Sequence, residues 1–280
     1  MSKKKIMTYV VGGKYSIVEK IGEGAFGKIF LGVNKNTGEN VAVKIERGDT
    51  NTPLRNEARM YSALRGVYGI PNMRTWGSEG KFNYLVLDLL GESLEEMRIA
   101  KGGLLPLKLV VSIGSQMLTR IRDIHKHGII HRDVKPSNFM FGSHQGINIL
   151  YLIDFGLAKV YRNNKRHVKK SEGRSVIGTA KFISIHTHDG ILPSRRDDLE
   201  SIGYIMLFLL LGKLPWQDIQ CEDERERQRQ IGIIKKQLDL RDFSRGNSSS
   251  SVIILFIEYC RKLNYEAEPN YDYLFTLLNT

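Results

Sequence analysis

His131-Arg132-Asp133-Val134-Lys135-Pro136-Ser137-Asn138, followed sixteen residues later by Asp154-Phe155-Gly156, is the stretch on which the reading of this chain turns. An acid, a base two residues on and an amide five residues on share one loop after a helical pattern, and Pro136 keeps that loop from becoming helix. Asp133 can accept a hydroxyl proton, Lys135 can neutralise a transferring phosphate, and Asn138 can hold a metal. Asp154 stands directly after the apolar run Leu150–Ile153. With Asn138 it offers hard oxygen ligands, which suit Mg²⁺. Either motif alone also reads as a surface turn.

Working upstream, Gly22-Glu23-Gly24-Ala25-Phe26-Gly27 is a G-x-G-x-x-G placed after a strand pattern. The next residues, Lys28-Ile29-Phe30-Leu31, read as another strand, whereas a dinucleotide fold needs a helix there. A glycine hairpin lets backbone amides approach phosphates, and a plain glycine turn competes with that reading. Seventeen residues after Gly27, Val41-Ala42-Val43-Lys44 sets a lysine on an apolar strand. Alternation points Val41 and Val43 to one face and Ala42 and Lys44 to the other. An ammonium there needs a phosphate or a carboxylate, and Glu57 in the next helical pattern is the expected partner. An edge-strand lysine reaching water is the alternative.

The remaining pattern is α+β. Tyr15–Ile21, Lys28–Val33, Asn40–Glu46, Arg74–Ser78 and Tyr84–Asp88 read as strands, with a helix expected over Leu54–Arg65 behind Pro53. Ser93-Leu94-Glu95-Glu96 is a capping box, and Leu107–His127 a long helix between Pro106 and Gly128. Strands at Phe139–Phe141 and Leu150–Ile153 precede an almost wholly apolar helix over Asp198–Leu211, which belongs inside a core. A polar loop at Asn247–Ser251 and two more helices complete the expected pattern. The expectation is a small sheet-rich lobe followed by a larger helical one.

Composition narrows the class. The chain has 280 residues and a formal charge of 42 − 30 = +12, with 41% hydrophobic and 26% charged residues, an ordinary globular balance. The longest mainly apolar run, Ile202–Leu211, is ten residues, half a bilayer span. Met1-Ser2-Lys3-Lys4-Lys5 is not followed by an apolar core of signal-peptide length. Cys221 and Cys260 are the two cysteines, without metal-spaced companions, so neither a disulfide scaffold nor a zinc site is expected. A soluble intracellular protein, cytoplasmic or nuclear, is the expectation. Between Lys159 and Lys181 stand eight Lys or Arg against Glu172 alone, a segment of +7. It reads either as a solvated loop or as a surface for an anionic partner.

Glycine loop, strand lysine, helix glutamate, H-R-D-x-x-x-x-N and D-F-G occur in the order of the protein-kinase signature set. The expected architecture is therefore a bilobal protein-kinase fold. Its boundaries are a basic extension over 1–14 and a kinase domain over 15–280, with N-lobe 15–87, hinge 88–93 and C-lobe 94–280. Gly178-Thr179-Ala180-Lys181-Phe182-Ile183-Ser184-Ile185-His186 and Ser194-Arg195-Arg196-Asp197-Asp198-Leu199-Glu200-Ser201 closely resemble the casein kinase 1 family. So do Gly91-Glu92-Ser93-Leu94-Glu95, Leu214-Pro215-Trp216-Gln217 and Pro269-Asn270-Tyr271-Asp272-Tyr273-Leu274. Like that family the chain lacks the A-P-E triplet of most kinases; His186 departs from the family's usual Ser-Ile-Asn.

The resemblance implies a protein serine/threonine kinase that transfers the γ-phosphate of Mg-ATP, and it assigns roles residue by residue. Gly22, Gly24 and Gly27 cover the phosphates, and Lys44, positioned by Glu57, holds the α- and β-phosphates. Ile21, Ile29, Ala42, Leu87, Asp88, Leu90 and Met140 enclose the adenine, with Leu87 as gatekeeper. Asn138 and Asp154 carry Mg²⁺, Asp133 orients and deprotonates the acceptor hydroxyl, and Lys135, two residues after Asp133, together with Thr179 resembles serine/threonine rather than tyrosine kinases. Asp198 anchors the catalytic loop. Lys181 and Arg227 match positions that hold a substrate phosphate in that family, so acidic or pre-phosphorylated protein substrates are expected. Glu222-Asp223-Glu224 and Asp218 stand where the family is basic or carries glycine, and oppose an anion within a Debye length of about 8 Å. Ser171 and Ser175 are the candidate phosphosites of the segment, and basal activity without such modification is expected. Two rivals remain: a catalytically inactive kinase-fold scaffold, and a nucleic-acid-binding module suggested by the charge. The first conflicts with an intact set of catalytic residues. The second lacks any RNA-binding motif, so no nucleic-acid partner is expected. A monomer is the expected state.

Overall fold

The computed structural model describes residues 9–24, 27–48, 52–143, 148–163, 166–243 and 250–279. Lys3, Lys4, Lys5 and Lys165, and most of the expected polar loop at 247–251, lie outside the described residues. Six strands form one antiparallel sheet: β1 (Val10–Val11), β2 (Tyr15–Gly24), β3 (Gly27–Asn34), β4 (Asn40–Arg47), β5 (Met73–Glu79) and β6 (Phe82–Asp88). Their spatial order is β1-β2-β3-β4-β6-β5. Helix α1 (Pro53–Ala63) joins β4 to β5.

The alternation in β4 divides the sheet as its sequence dictates. Val41 and Val43 join Val11, Tyr15, Tyr84 and Val86 in a small core on one face. From the other face Leu85 packs with Leu54, Ala58 and Tyr61 of α1, in the core that continues through the helical lobe. Lys44 therefore points toward α1, not toward the sheet's own core. Helix α1 is shorter than its sequence suggests, because the chain passes into a turn over 64–66 that closes at Gly66 with φ +79°.

The second lobe contains α2 (Leu94–Ala100), α3 (Leu107–Lys126), α4 (Ile185–His188), α5 (Arg195–Leu211), α6 (Glu224–Gln237), α7 (Leu240–Phe243), α8 (Ser251–Lys262) and α9 (Tyr271–Leu278). Short strands lie between α3 and α4: β7 (Ile129–Ile130), β8 (Phe139–Phe141), β9 (Leu150–Leu152), β10 (Lys159–Val160), β11 (Arg162–Asn163) and β12 (Arg166–His167). They pair as three antiparallel ribbons, β7 with β10, β8 with β9 and β11 with β12. The capping box at α2 forms as expected: the Glu96 N–H donates to Ser93 Oγ at 3.2 Å, and Glu96 Oε2 accepts the Ser93 N–H at 2.7 Å. Helix α5 is buried along nearly its whole length, which its lack of a polar face required.

One expectation about this lobe is corrected, and one helix lies outside the expected pattern. Helix α5 starts three residues before Asp198, because Asp197 Oδ2 accepts the Ser194 N–H at 2.7 Å and fixes the first turn there. Helix α6 lies where the sequence pattern predicts none. Its first two turns, Glu-Arg-Glu-Arg-Gln-Arg-Gln, carry no apolar stripe, and Gly232 argues against helix. The glycine is required by close approach: a Cβ there would lie 2.7 Å from His188 Cβ on α4. Among the described residues no helix is long and apolar enough to cross a membrane.

Candidate active site

Lys44, Glu57 and Asp154 meet between the lobes. Lys44 Nζ lies 2.7 Å from Glu57 Oε2 and 3.0 Å from Asp154 Oδ1. Burial pulls the Lys44 ammonium down, but the two carboxylates outweigh it and hold it above its ordinary value. Two carboxylates share one cation, and the more deeply buried, Glu57, is pushed up to about 7 by burial against the pull of Lys44. For Asp154 burial acts upward too, yet Lys44 holds it below the usual aspartate range. Asp154 adopts φ +63°, uncommon outside glycine. Tyr61, one turn after Glu57 on α1, steadies it: the Tyr61 hydroxyl accepts the Asp154 N–H at 3.2 Å, and its ring meets Phe155 edge-on at 5.0 Å.

The loop from His131 to Asn138 is fixed from beneath by Asp198 on α5. Asp198 Oδ2 accepts the His131 N–H at 2.8 Å, and Oδ1 accepts the Arg132 N–H at 2.9 Å. Arg132 has φ +69°, so these bonds hold a strained backbone. His125 Nε2 donates to Asp198 Oδ2 at 3.0 Å, and the Tyr271 hydroxyl donates to His125 Nδ1 at 2.8 Å. Burial lowers the His125 pKa, which keeps the imidazole neutral and fits this tautomer. His131 Nε2 donates to the Ile153 carbonyl at 3.0 Å, leaving Nδ1 to accept the Asp133 N–H at 3.3 Å. The loop and the strand before Asp154 are thus joined through one imidazole.

Asp133 itself is buried, with Lys135, Thr179 and, at 3.4 Å, Asn138 Nδ2 on its carboxylate. Lys135 Nζ lies 2.7 Å from Oδ2, while Oδ1 accepts the Thr179 N–H at 3.0 Å and its hydroxyl at 2.8 Å. Asn138 Nδ2 donates to the Asp133 carbonyl at 2.9 Å, which leaves the Asn138 amide oxygen as the acceptor on its other side. Asp154, partly exposed, and the Asn138 oxygen are the donors available to a hard cation. Among the described residues no group of three or more His, Cys, Asp or Glu could hold a metal. Two protein oxygens suit an ion that takes its remaining ligands from phosphates and water, as Mg²⁺ commonly does.

The expected nucleotide-lining residues lie on neighbouring strands. Gly22 stands opposite Ile29 and Ile29 opposite Lys44, while Ala42 stands opposite Leu87. Ile21 is exposed beside them. Of the three loop glycines, the protein itself requires Gly27, whose Cβ would sit 2.5 Å from the Ile45 carbonyl oxygen. At Gly22 and Gly24 the nearest atoms lie at 3.7 and 4.0 Å, so a Cβ there would meet only ordinary van der Waals contact. Met140 on β8 is tied to the linker, since the Gly91 N–H donates to the Phe141 carbonyl at 2.8 Å and Ser93 bridges Met140. The Asp88 carboxylate is taken by Asn72 and by Arg74 Nε at 2.6 Å, and Leu90 is half-buried in the linker.

Lys181 and Arg227 have different surroundings. Lys181 Nζ lies over the Phe208 ring, 3.3 Å from its centroid, with Arg98 Cζ 4.4 Å from the same centroid. Burial is the largest influence on Lys181 and lowers it to about 8, with Glu95 and Asp218 opposing and Arg98 adding to the effect. Arg227 makes a two-pronged pair with Glu224 at 2.8 and 3.0 Å, one turn away on the exposed start of α6. Asp223 caps that helix by accepting the Arg225 N–H at 3.1 Å, so the acids at 222–224 include a helix cap and a local partner for Arg227. His186 is half-buried in α4, its Nε2 3.4 Å from the Arg261 carbonyl. Ser171 Oγ accepts from Arg174 Nε at 3.0 Å, and Ser175 is exposed.

Tyr61, His125 and Tyr271 do not stand out as site residues in the sequence. For Tyr61 the four-residue spacing from Glu57 is a signal; for His125 and Tyr271 there is none beyond their place in helical patterns. A family model described as protein kinase domain matches residues 15–273, and the chain belongs to that family. Membership brings ATP, a divalent metal and protein substrates as the reactants of the class.

Proposed function

We propose that the chain is a serine/threonine kinase of the casein kinase 1 type. It transfers the γ-phosphate of Mg-ATP to serine or threonine hydroxyls near acidic residues. The observation that carries this reading is the Asp133 carboxylate, with Lys135 at 2.7 Å on one oxygen and Thr179 on the other. An acceptor hydroxyl placed against Asp133 gives its proton to that carboxylate as its oxygen bonds to the γ-phosphorus and ADP departs. Lys135 sits where it can offset charge on the moving phosphoryl oxygens, and Lys44 is aimed at the phosphates behind. Asp154 and the Asn138 oxygen would hold Mg²⁺, which when bound neutralises charge on the phosphate oxygens. Catalysis of this kind is positioning plus electrostatics, and no position needed for it is substituted. An inactive scaffold has no support from these residues.

Lys181 supports selection for acidic neighbours, because its ammonium makes no ion pair among the described residues and is partly exposed. Arg227, paired with Glu224, adds little. A doubly charged phosphate prefers two or more cations, so we place simple acidic sites ahead of pre-phosphorylated ones. The test is transfer from Mg-ATP to three matched serine peptides: acidic, pre-phosphorylated three residues upstream, and neutral. Fastest transfer to the acidic peptide is expected. Equal rates on all three remove the selectivity claim, and transfer only to a tyrosine control removes the serine/threonine claim.

A further inference from the structure

Lys235 is fully buried, carries a group that water would solvate strongly, and takes no part in the chemistry above. Its ammonium donates to the Ala180 carbonyl at 2.8 Å and to the Ile183 carbonyl at 2.6 Å. It also lies against the faces of Tyr204 and Trp216, at 4.8 and 5.1 Å from their centroids. Trp216, equally buried, donates its indole N–H to the Lys181 carbonyl at 2.8 Å. Three carbonyls within four residues are thus held from below by two side chains.

The segment they hold begins beside the reacting position. Thr179 binds Asp133 through both its N–H and its hydroxyl, so residues 180–185 run on from the place the acceptor hydroxyl must occupy. Its far end is fixed as well. Ser184 Oγ donates to Asp197 Oδ1 at 2.5 Å, and Glu200 Oε1 accepts the Ile185 N–H at 3.1 Å. Arg261 joins the two supports, pairing with Glu200 at 3.4 Å and donating to the Lys235 carbonyl at 2.8 Å. Residues 180–183 belong to no helix or strand, so buried side chains do the work that a backbone ladder does elsewhere.

We infer that Lys235 is a positioning residue for the acceptor peptide: with Trp216 it sets the platform over residues 180–185 on which the peptide lies next to Asp133. This goes beyond the proposed selectivity and rests only on the kinase-domain assignment. A lysine that merely fastened α6 to the lobe would affect folding without separating the two substrates. A platform residue does separate them, because Lys44, Glu57 and Asp154 lie elsewhere.

The experiment compares wild type, Lys235→Met and Trp216→Phe in steady-state phosphorylation of the acidic and the neutral serine peptides, with thermal melts alongside. Methionine keeps the length of the side chain and leaves two buried carbonyls without donors; phenylalanine keeps a ring and removes one donor. For Lys235→Met the peptide KM should rise about tenfold, by a similar factor for both peptides, while the ATP KM stays within about twofold. Trp216→Phe should move the peptide KM the same way, about threefold. The phenylalanine variant decides the matter if the methionine variant melts below the assay temperature. Unchanged peptide KM values would overturn the inference, as would peptide and ATP KM values rising together. So would a loss confined to the acidic peptide, which would make Lys235 act through the charge of Lys181.

Discussion

Replacing Asp198 by asparagine tests how the catalytic loop is held, because the change removes a charge and almost no volume. The carboxylate accepts from the His131 N–H at 2.8 Å, the Arg132 N–H at 2.9 Å and His125 Nε2 at 3.0 Å. Asparagine has one acceptor oxygen. If it keeps the side shared by His131 and His125, its amide faces the Arg132 N–H, donor against donor. One hydrogen bond to a charged group is lost, about 1.5–3 kcal/mol, and a part-buried N–H is left unpaired. Arg132 at φ +69° then loses the backbone bond that offsets its strain and keeps only its side-chain bond to the Leu157 carbonyl. A loss of about 3 kcal/mol is expected, a large share of a domain's total of about 5–15 kcal/mol. Asp133 is the next residue in the loop, and a shift of about 1 Å in a reacting group can lower kcat by about a hundredfold. Urea denaturation gives the first quantity, and peptide phosphorylation at a temperature where the variant is folded gives the second. A variant within about 0.5 kcal/mol and twofold of wild type would refute the anchoring role.

Single contacts elsewhere have consequences of their own. Burial lowers Lys181 to about 8, so its positive charge is present at pH 7 and lost as pH rises through that value. The acidic-to-neutral peptide rate ratio should therefore fall between about pH 7 and pH 9 in the wild type and stay flat in Lys181→Met; a wild-type ratio that does not change with pH contradicts this. Arg227→Ala removes an exposed pair one turn apart on α6, worth about 0–1 kcal/mol, and should alter the KM for acidic peptides less than about twofold. A tenfold rise would mean that Arg227 leaves Glu224 for the substrate. Gly232→Ala improves helix propensity by about 1 kcal/mol, but its Cβ would stand 2.7 Å from His188 Cβ. Overpacking costs about 1–3 kcal/mol, so a lower melting temperature is expected, and a higher one would show that α4 yields freely.

Much of the site is readable in the sequence because its residues sit on simple local patterns. Lys44 lies on a strand whose alternation shows which face it takes, and Glu57 is on the next helix. The Ser93 capping box and the Pro136 loop are fixed by chemistry within a few residues. The features that escape such reading depend on distant contacts. Nothing near Lys44 shows that its second carboxylate, Asp154, comes from 110 residues away. The chain from Tyr271 through His125 to Asp198 joins three helices, α9, α3 and α5, so no spacing rule reveals it. Helix α6 is hidden because its buried residues are Ile231, Gly232 and Lys235, a set with no apolar periodicity. The same lysine that hides the helix supports the loop above it. Arg227 resembles an anion ligand by position, and only the side-chain geometry shows Glu224 occupying it.

The central claim is that Asp133 receives the acceptor proton in a Mg-ATP-dependent phosphoryl transfer. The most direct measurement is kcat for a serine peptide in the wild type and in Asp133→Asn, with ATP binding measured in parallel. The account predicts measurable transfer by the wild type and a fall in kcat of about a hundredfold or more in the variant, since general-base catalysis contributes about 10²–10⁴-fold. ATP affinity should change far less than kcat, because Asp133 makes no contact with Lys44, Glu57 or Asp154 and meets the metal-holding Asn138 only through that residue's amide nitrogen. A variant that phosphorylates the peptide at the wild-type rate, or a folded wild type that binds Mg-ATP without transferring phosphate, would contradict it.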